Sequence, residues 1–169
     1  MNVCRAGYYS EANAENCSPT EDGKFTANDG DAQSTAADSK WAILGDIEER
    51  DCPYGDYCVG GVKTECSAGK YCPKGSSSEQ TPTIGMVMNE PGLWWEKPCP
   101  SGKFCPGGVT TAPEQVTDGY WTEQGATSGT DNQCNDGYQC TNASGSIGPW
   151  EDGCPRGEWA TGGAACDTA

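Results

Sequence analysis

Cys66-Ser67-Ala68-Gly69-Lys70-Tyr71-Cys72 is the stretch on which the fold turns. It returns as Cys52-Pro53-Tyr54-Gly55-Asp56-Tyr57-Cys58 and again as Cys99-Pro100-Ser101-Gly102-Lys103-Phe104-Cys105. Cys134-Asn135-Asp136-Gly137-Tyr138-Gln139-Cys140 keeps the spacing and loses the aromatic. Cys4-Arg5-Ala6-Gly7-Tyr8-Tyr9 and Cys154-Pro155-Arg156-Gly157-Glu158-Trp159 carry the opening half, with Ser10 and Ala160 where a second cysteine would stand. One unit, C-x-x-G-x-aromatic-C, thus recurs in whole or in part. Its central glycine can take a positive φ, which lets the segment fold back with both cysteines inward. The aromatic supplies apolar area over a disulfide or over the neighbouring module. Proline or Gly-Gly after the second cysteine ends the turn and starts an extended connection.

Composition explains why cysteine must carry this fold. The 169 residues bear a formal charge of −15 and include no histidine, 12 cysteines, 24 glycines and 11 prolines. Leu, Ile, Val and Phe together make up about 8% of the chain, far below the roughly 20% under which a highly charged chain stays disordered. Either the chain is disordered or covalent staples replace the core. The even cysteine count favours staples formed in an oxidising compartment. At about 2–4 kcal/mol each, six disulfides restrict the unfolded chain by an amount comparable with the net stability of a domain. Without a C-x-x-C pair or a histidine, zinc sites are not expected. The expected fold class is small and disulfide-rich, with tandem irregular modules, short β-hairpins and an extended overall form.

Residues Cys52 to Pro113 resemble the ephrin-receptor-like cysteine-rich repeats, relatives of EGF and tumour-necrosis-factor-receptor modules. The matching residues are Cys66, Gly69, Tyr71, Cys72, Pro73 and Gly75, then Cys99, Pro100, Gly102, Phe104, Cys105, Pro106, Gly107 and Gly108. The resemblance implies an extracellular or cell-surface setting, a disulfide-laced rod and no catalytic activity. The long steps from Cys72 to Cys99 and from Cys105 to Cys134 depart from that pattern.

The cysteine gaps predict four segments. They are an N-terminal cysteine-poor module at 1–51, a four-cysteine repeat unit with its connector at 52–98, a repeat module at 99–133 and a C-terminal cysteine-rich module at 134–169. Within the first, 35–50 reads as a short helix, capped by Ser or Asp, with Trp41, Leu44 and Ile47 on one face. Ser76 to Thr83 reads as a polar connector, and Ile84 to Trp95 as an apolar tract with a strand or two. In the 52–72 unit either each C-x5-C closes locally, or the first cysteine pairs with the third and the second with the fourth; crossed pairing is preferred because it would lock two turns together. Cys4 with Cys17 and Cys154 with Cys166 are expected local closures. A pattern already in phase at Cys4 predicts a mature piece or segment of a longer chain.

Chemistry is sparse. No nucleophile–base pair, Gly-x-Ser-x-Gly or phosphate-binding loop is present, so the chain is not expected to be an enzyme. The acidic charge argues against nucleic acid, and no apolar run is long enough for a membrane span. No cofactor is expected. Asp29 and Asp31, in Asn28-Asp29-Gly30-Asp31, are weak calcium candidates, for which a solvated Asx-turn is the plainer reading. Asn142 and Asn16 head N-glycosylation sequons. Trp94, Trp95 and Trp121 are interface candidates, since Trp is favoured at hot spots; the alternative role for the tryptophans is in mini-cores beneath the disulfides. These readings lead to a structural subunit of an extracellular glycoprotein fibre, coat or flagellar-hair-like appendage. Its partners would be copies of itself in a homopolymer, neighbouring modules of a longer chain, and glycans. The alternative is a receptor or adhesion ectodomain module that binds a separate protein ligand.

Overall fold

The computed structural model describes residues 3–11, 15–108 and 111–140, and beyond them the strand backbones at 152–153, 158–159 and 167–168 together with Gly162. Among these residues eighteen short strands pair into nine antiparallel two-stranded sheets, and there is no helix. In chain order, β1 (Tyr8–Tyr9) pairs with β2 (Ser18–Pro19), β3 (Lys24–Phe25) with β4 (Ser34–Thr35), and β5 (Lys40–Trp41) with β6 (Arg50–Asp51). The longest hairpin joins β7 (Asp56–Val59) to β8 (Val62–Glu65). Its two-residue turn, Gly60-Gly61, has both φ angles positive, as a turn matched to the strand twist requires. Tyr71 and Gln80 close a further hairpin by a single bridge. Then follow β9 (Met86–Val87) with β10 (Lys97–Pro98), β11 (Lys103–Phe104) with β12 (Glu114–Gln115), and β13 (Tyr120–Trp121) with β14 (Asn132–Gln133). The last pairs are β15 (Tyr138–Gln139) with β16 (Asp152–Gly153) and β17 (Glu158–Trp159) with β18 (Asp167–Thr168).

The fold is a small disulfide-rich array of hairpins, and the expected helix at 35–50 is absent. That segment holds β4, β5 and β6. Ser39 and Gly45 sit at φ values of 72° and 80°, outside the helical region. The Asp46 carboxylate accepts the Ile43 N–H at 2.7 Å and so closes a turn. Leu44 and Ile47, read as a buried face, are exposed. The expected connector 76–83 likewise belongs partly to a hairpin: Ser76 is buried, and its hydroxyl donates to the Pro73 carbonyl at 2.6 Å.

Among the described residues, every hairpin before β17 begins with the same backbone turn, whether or not it carries cysteine. The turn pivots on Gly7, Gly23, Ser39, Gly55, Gly69, Gly85, Gly102, Gly119 and Gly137. Three residues before the pivot stand Cys4, Thr20, Ala36, Cys52, Cys66, Pro82, Cys99, Val116 and Cys134, all buried. Three residues after it, from the second hairpin onward, stand Thr26, Ala42, Cys58, Cys72, Met88, Cys105, Thr122 and Cys140, also buried. A disulfide in one repeat is therefore replaced in another by a pair of small or apolar side chains. Where threonine stands, its hydroxyl bonds to main chain: the Gly7 N–H donates to Thr26 Oγ1 at 2.7 Å, and Thr122 Oγ1 donates to the Lys103 carbonyl at 2.9 Å.

Main-chain hydrogen bonds tie successive repeats. Within the first unit the pivot N–H donates to the carbonyl three residues beyond the next pivot, from Gly7 to Thr26, Gly23 to Ala42, Ser39 to Cys58 and Gly55 to Cys72, at 2.9–3.2 Å. In return the pivot carbonyl accepts from the first buried residue of the next repeat, as Gly7 does from Thr20 and Gly55 from Cys66. Hairpin tips also reach the second repeat along. An added Cβ on Gly7 would lie 2.4 Å from the Gly45 carbonyl oxygen, and one on Gly55 would lie 2.3 Å from that of Gly92. Such a chain stabilises each repeat chiefly through its near neighbours.

Two compact units result, Met1–Gln80 with Pro91–Trp95, and Thr81–Glu90 with Glu96–Ala169. The division falls just before Pro82, whose ring leaves no N–H for the bond that Thr20, Ala36, Cys52 and Cys66 make at the matching position. The second unit repeats the scheme: Gly85 donates to Cys105, Gly102 to Thr122 and Gly119 to Cys140, and Val87 packs with Cys99 and Cys105.

Candidate interaction surface

The cysteines shape the turns. Cys52 bonds Cys58, Cys66 bonds Cys72, Cys99 bonds Cys105 and Cys134 bonds Cys140. The 52–72 unit therefore has local closures and not crossed pairing. The positive φ of Gly55 and Gly69 brings each pair of cysteines to the inside of its own turn, and the second lock between turns comes from the main-chain ladder. Cys4 bonds Cys17 across the first hairpin. Cys154 and Cys166 lie outside the described residues, as do Asn142 and Trp150. This density of disulfides indicates an oxidising environment. No described helix is long and apolar enough to cross a membrane.

Acidic side chains have a structural use that the sequence does not reveal. Asp29 Oδ1 accepts the Ala6 N–H at 2.9 Å, and Asp31 Oδ2 accepts from Asn28 N at 3.1 Å, so both calcium candidates serve turn donors. Asp22 and Asp38 accept from Leu44 and Gly60, each in the tip of the next hairpin. Glu49, Glu79 and Glu96 accept from Ala37, Ser67 and Thr83 at 2.6–2.8 Å, closing the start of each repeat against its returning strand. The Ser67 N–H holds the Glu79 carboxyl below its usual range. Hydrogen bonds from Lys40 and then Lys74 do the same for Asp51. No described cluster of three or more His, Cys, Asp or Glu residues is arranged to hold a metal ion.

Two features stand out on the first unit. One is a hollow of about 210 Å³ lined by Asp22, Trp41, Ile43, Gly61, Val62 and Lys63. It is smaller than the roughly 300–1,000 Å³ of ordinary ligand pockets. The Arg50 guanidinium and the Lys63 ammonium already lie over the Trp41 ring, at 4.9 and 5.1 Å from its centroid. Trp41 is the aromatic of its repeat and packs against the next hairpin, as Phe104 packs on Gly129.

The other feature is a group of exposed rings. Trp94 and Trp95 touch at 5.9 Å between centroids, and Tyr54 meets Trp94 at 5.1 Å. Tyr54, Trp94 and Trp95 are 60%, 49% and 51% exposed. The close approach of Gly55 to Gly92 brings their two loops together. Trp121 belongs to the second unit, where it is half-buried in β13. Sequence reasoning overlooked Tyr54 because it lies within a cysteine turn. The available signal was its place, one residue before the pivot, where the repeat needs no ring. Asn16 is exposed in the tip of the first hairpin, beside Cys17.

No protein-family model and no curated protein matches this chain.

Proposed function

We propose that the chain is a structural subunit of an extracellular glycoprotein fibre, coat or flagellar-hair-like appendage, acting by self-association. The observation that carries this reading is the ladder of hairpins: within each unit successive repeats share the same main-chain bonds, and four of the nine described turns are stapled by a disulfide. A surface that repeats lets one weak contact between copies recur along the array, and recurrence multiplies affinity. Staples keep loops closed through local opening, which suits a load-bearing and proteolysis-prone setting. Resemblance to ephrin-receptor-like cysteine-rich repeats supports the same setting, and exposed Asn16 offers a place for a glycan. No catalytic role is part of the proposal. Copies carrying −15 each repel, so association strengthens as salt screens them or calcium bridges them. The test is electron microscopy and sedimentation of the oxidised chain over a salt series. Ordered filaments that grow with salt are expected; a monomer at every salt concentration contradicts the proposal.

A second reading, a module that captures a separate protein ligand, is favoured by the exposed Tyr54–Trp94–Trp95 rings alone.

A further inference from the structure

The repeats of this chain form an internal alignment that separates residues the fold needs from residues it does not. The aromatic two places after the pivot is part of the repeat, as Tyr9, Phe25, Trp41, Tyr57, Tyr71, Phe104 and Trp121 show. Tyr54 stands one place before a pivot, where the other described repeats carry alanine, aspartate, serine or, once, Ile84. Trp94 and Trp95 stand three and two places before the returning strand β10. The matching pairs elsewhere are Glu15-Asn16, Asp31-Ala32, Ile47-Glu48, Thr111-Ala112 and Gly129-Thr130. Three large rings therefore occupy positions at which hairpins of the same build have none, and all three are exposed.

The charges around them say what covers them. The Glu65 carboxylate lies on Gly92, its Oε1 2.9 Å from where a Cβ would stand, in the loop that carries Trp94 and Trp95. It has no hydrogen-bond or ion-pair partner among the described residues. Ring faces are electron-rich and attract ammonium or guanidinium groups. The chain uses that chemistry itself: Arg5 lies 4.6 Å over Tyr8, and Arg50 and Lys63 lie over Trp41. Among the described residues no cation lies over Tyr54, Trp94 or Trp95. A second copy, carrying −15, is opposed at this place by the same electrostatics that favour a basic partner.

We propose that Tyr54, Trp94, Trp95 and Glu65 form a docking site for a basic segment of another protein, whose arginine or lysine side chains stack on the rings and pair with Glu65. This goes beyond self-association and does not depend on it. The test uses the full oxidised chain and a fluorescent Gly-Arg repeat peptide at physiological salt, with the citrulline peptide as its uncharged counterpart. The arginine peptide is expected to bind and the citrulline peptide to fail. The Tyr54→Ala/Trp94→Ala/Trp95→Ala variant is expected to bind about tenfold more weakly, and Glu65→Gln to bind more weakly than the parent. Trp94→Leu/Trp95→Leu, which keeps apolar bulk without the ring faces, is expected to lose binding as well. An unchanged disulfide map checks that each variant is folded. Equal binding by the triple variant would assign the affinity to general acidity and overturn the proposal. Equal binding of the citrulline peptide or of a neutral oligosaccharide would overturn it too. So would self-association of the free chain that vanishes in the triple variant, since a second copy would then cover the rings.

Discussion

Gly61 shows how closely single residues control the stack. Its φ is +82°, and an added Cβ would lie 2.1 Å from the Gly23 carbonyl oxygen and 2.5 Å from the Gly23 Cα. Gly45 has nearly the same φ, +80°, and nothing within 4 Å. The pair separates backbone strain from crowding. Gly45→Ala is expected to cost about 1–2 kcal/mol, the price of left-handed backbone. Gly61→Ala adds about 1–3 kcal/mol of overpacking against main chain that cannot step aside. Denaturant unfolding of the oxidised variants measures both; equal losses would mean that the hairpin tip does not press on the repeat two before it. Ionised residues set the pH range at the same scale. Asp51 and Glu79 have lowered pKa values, through hydrogen bonds from Lys40 and Lys74 and from the Ser67 N–H respectively. Their contribution is present above the ordinary carboxylate range, about pH 4, and is lost as the pH falls through the lowered values. Lys24 and Lys40 are raised by the hydrogen bonds they donate to Glu21 and Asp51, so their contribution holds below about pH 10 and is lost as the pH rises through the raised values. Thermal unfolding across pH is expected to show a plateau that falls at both ends. A melting temperature that rises on acidification below pH 4 would contradict these assignments.

At the scale of the element, the cysteine-bearing turns were legible and the cysteine-free ones were not. C-x-x-G-x-aromatic-C announces itself because two sulfurs mark its ends. Thr20-to-Thr26, Ala36-to-Ala42 and Val116-to-Thr122 keep the same geometry with nothing to mark them, since any small or apolar pair fills the space of a disulfide. Reading Trp41, Leu44 and Ile47 as a helical face failed for a related reason. Their spacing fits one turn of helix, but Ser39 and Gly45 have positive φ, and only Trp41 is partly covered. The equivalence of positions makes a direct prediction. Ala36→Cys/Ala42→Cys should close a further bridge like Cys52–Cys58 and stabilise the chain by about 2 kcal/mol for so short a loop. Mass analysis without reduction reads the bridge, and denaturant unfolding reads the gain. Two alkylatable thiols would show that the cysteine-free repeat differs from its neighbours.

On the scale of the whole molecule, the large acid excess takes on a second meaning. Composition presents 25 acidic residues as solubility. In the fold, Asp22, Asp29, Asp38, Asp46, Glu49, Glu79 and Glu96 accept backbone N–H groups that short hairpins leave unpaired. A chain of two-residue strands has few ladder bonds of its own, so side-chain acceptors replace them. This also explains why the exposed rings were only half legible. Trp94 and Trp95 were candidates on residue type alone, whereas Tyr54 and Glu65 join them only once the Gly55–Gly92 approach is known. Nothing in the spacing of residues 54 and 94 announces that meeting.

The account rests on local staples within a ladder of equivalent turns, and a peptide map of the native chain without reduction tests it most directly. Cleavage between Cys58 and Cys66 should release fragments holding Cys52–Cys58 and Cys66–Cys72 separately, with Cys99–Cys105 and Cys134–Cys140 likewise closed. Fragments joined through Cys52 and Cys66, or cysteines that alkylate freely in native material, would contradict it.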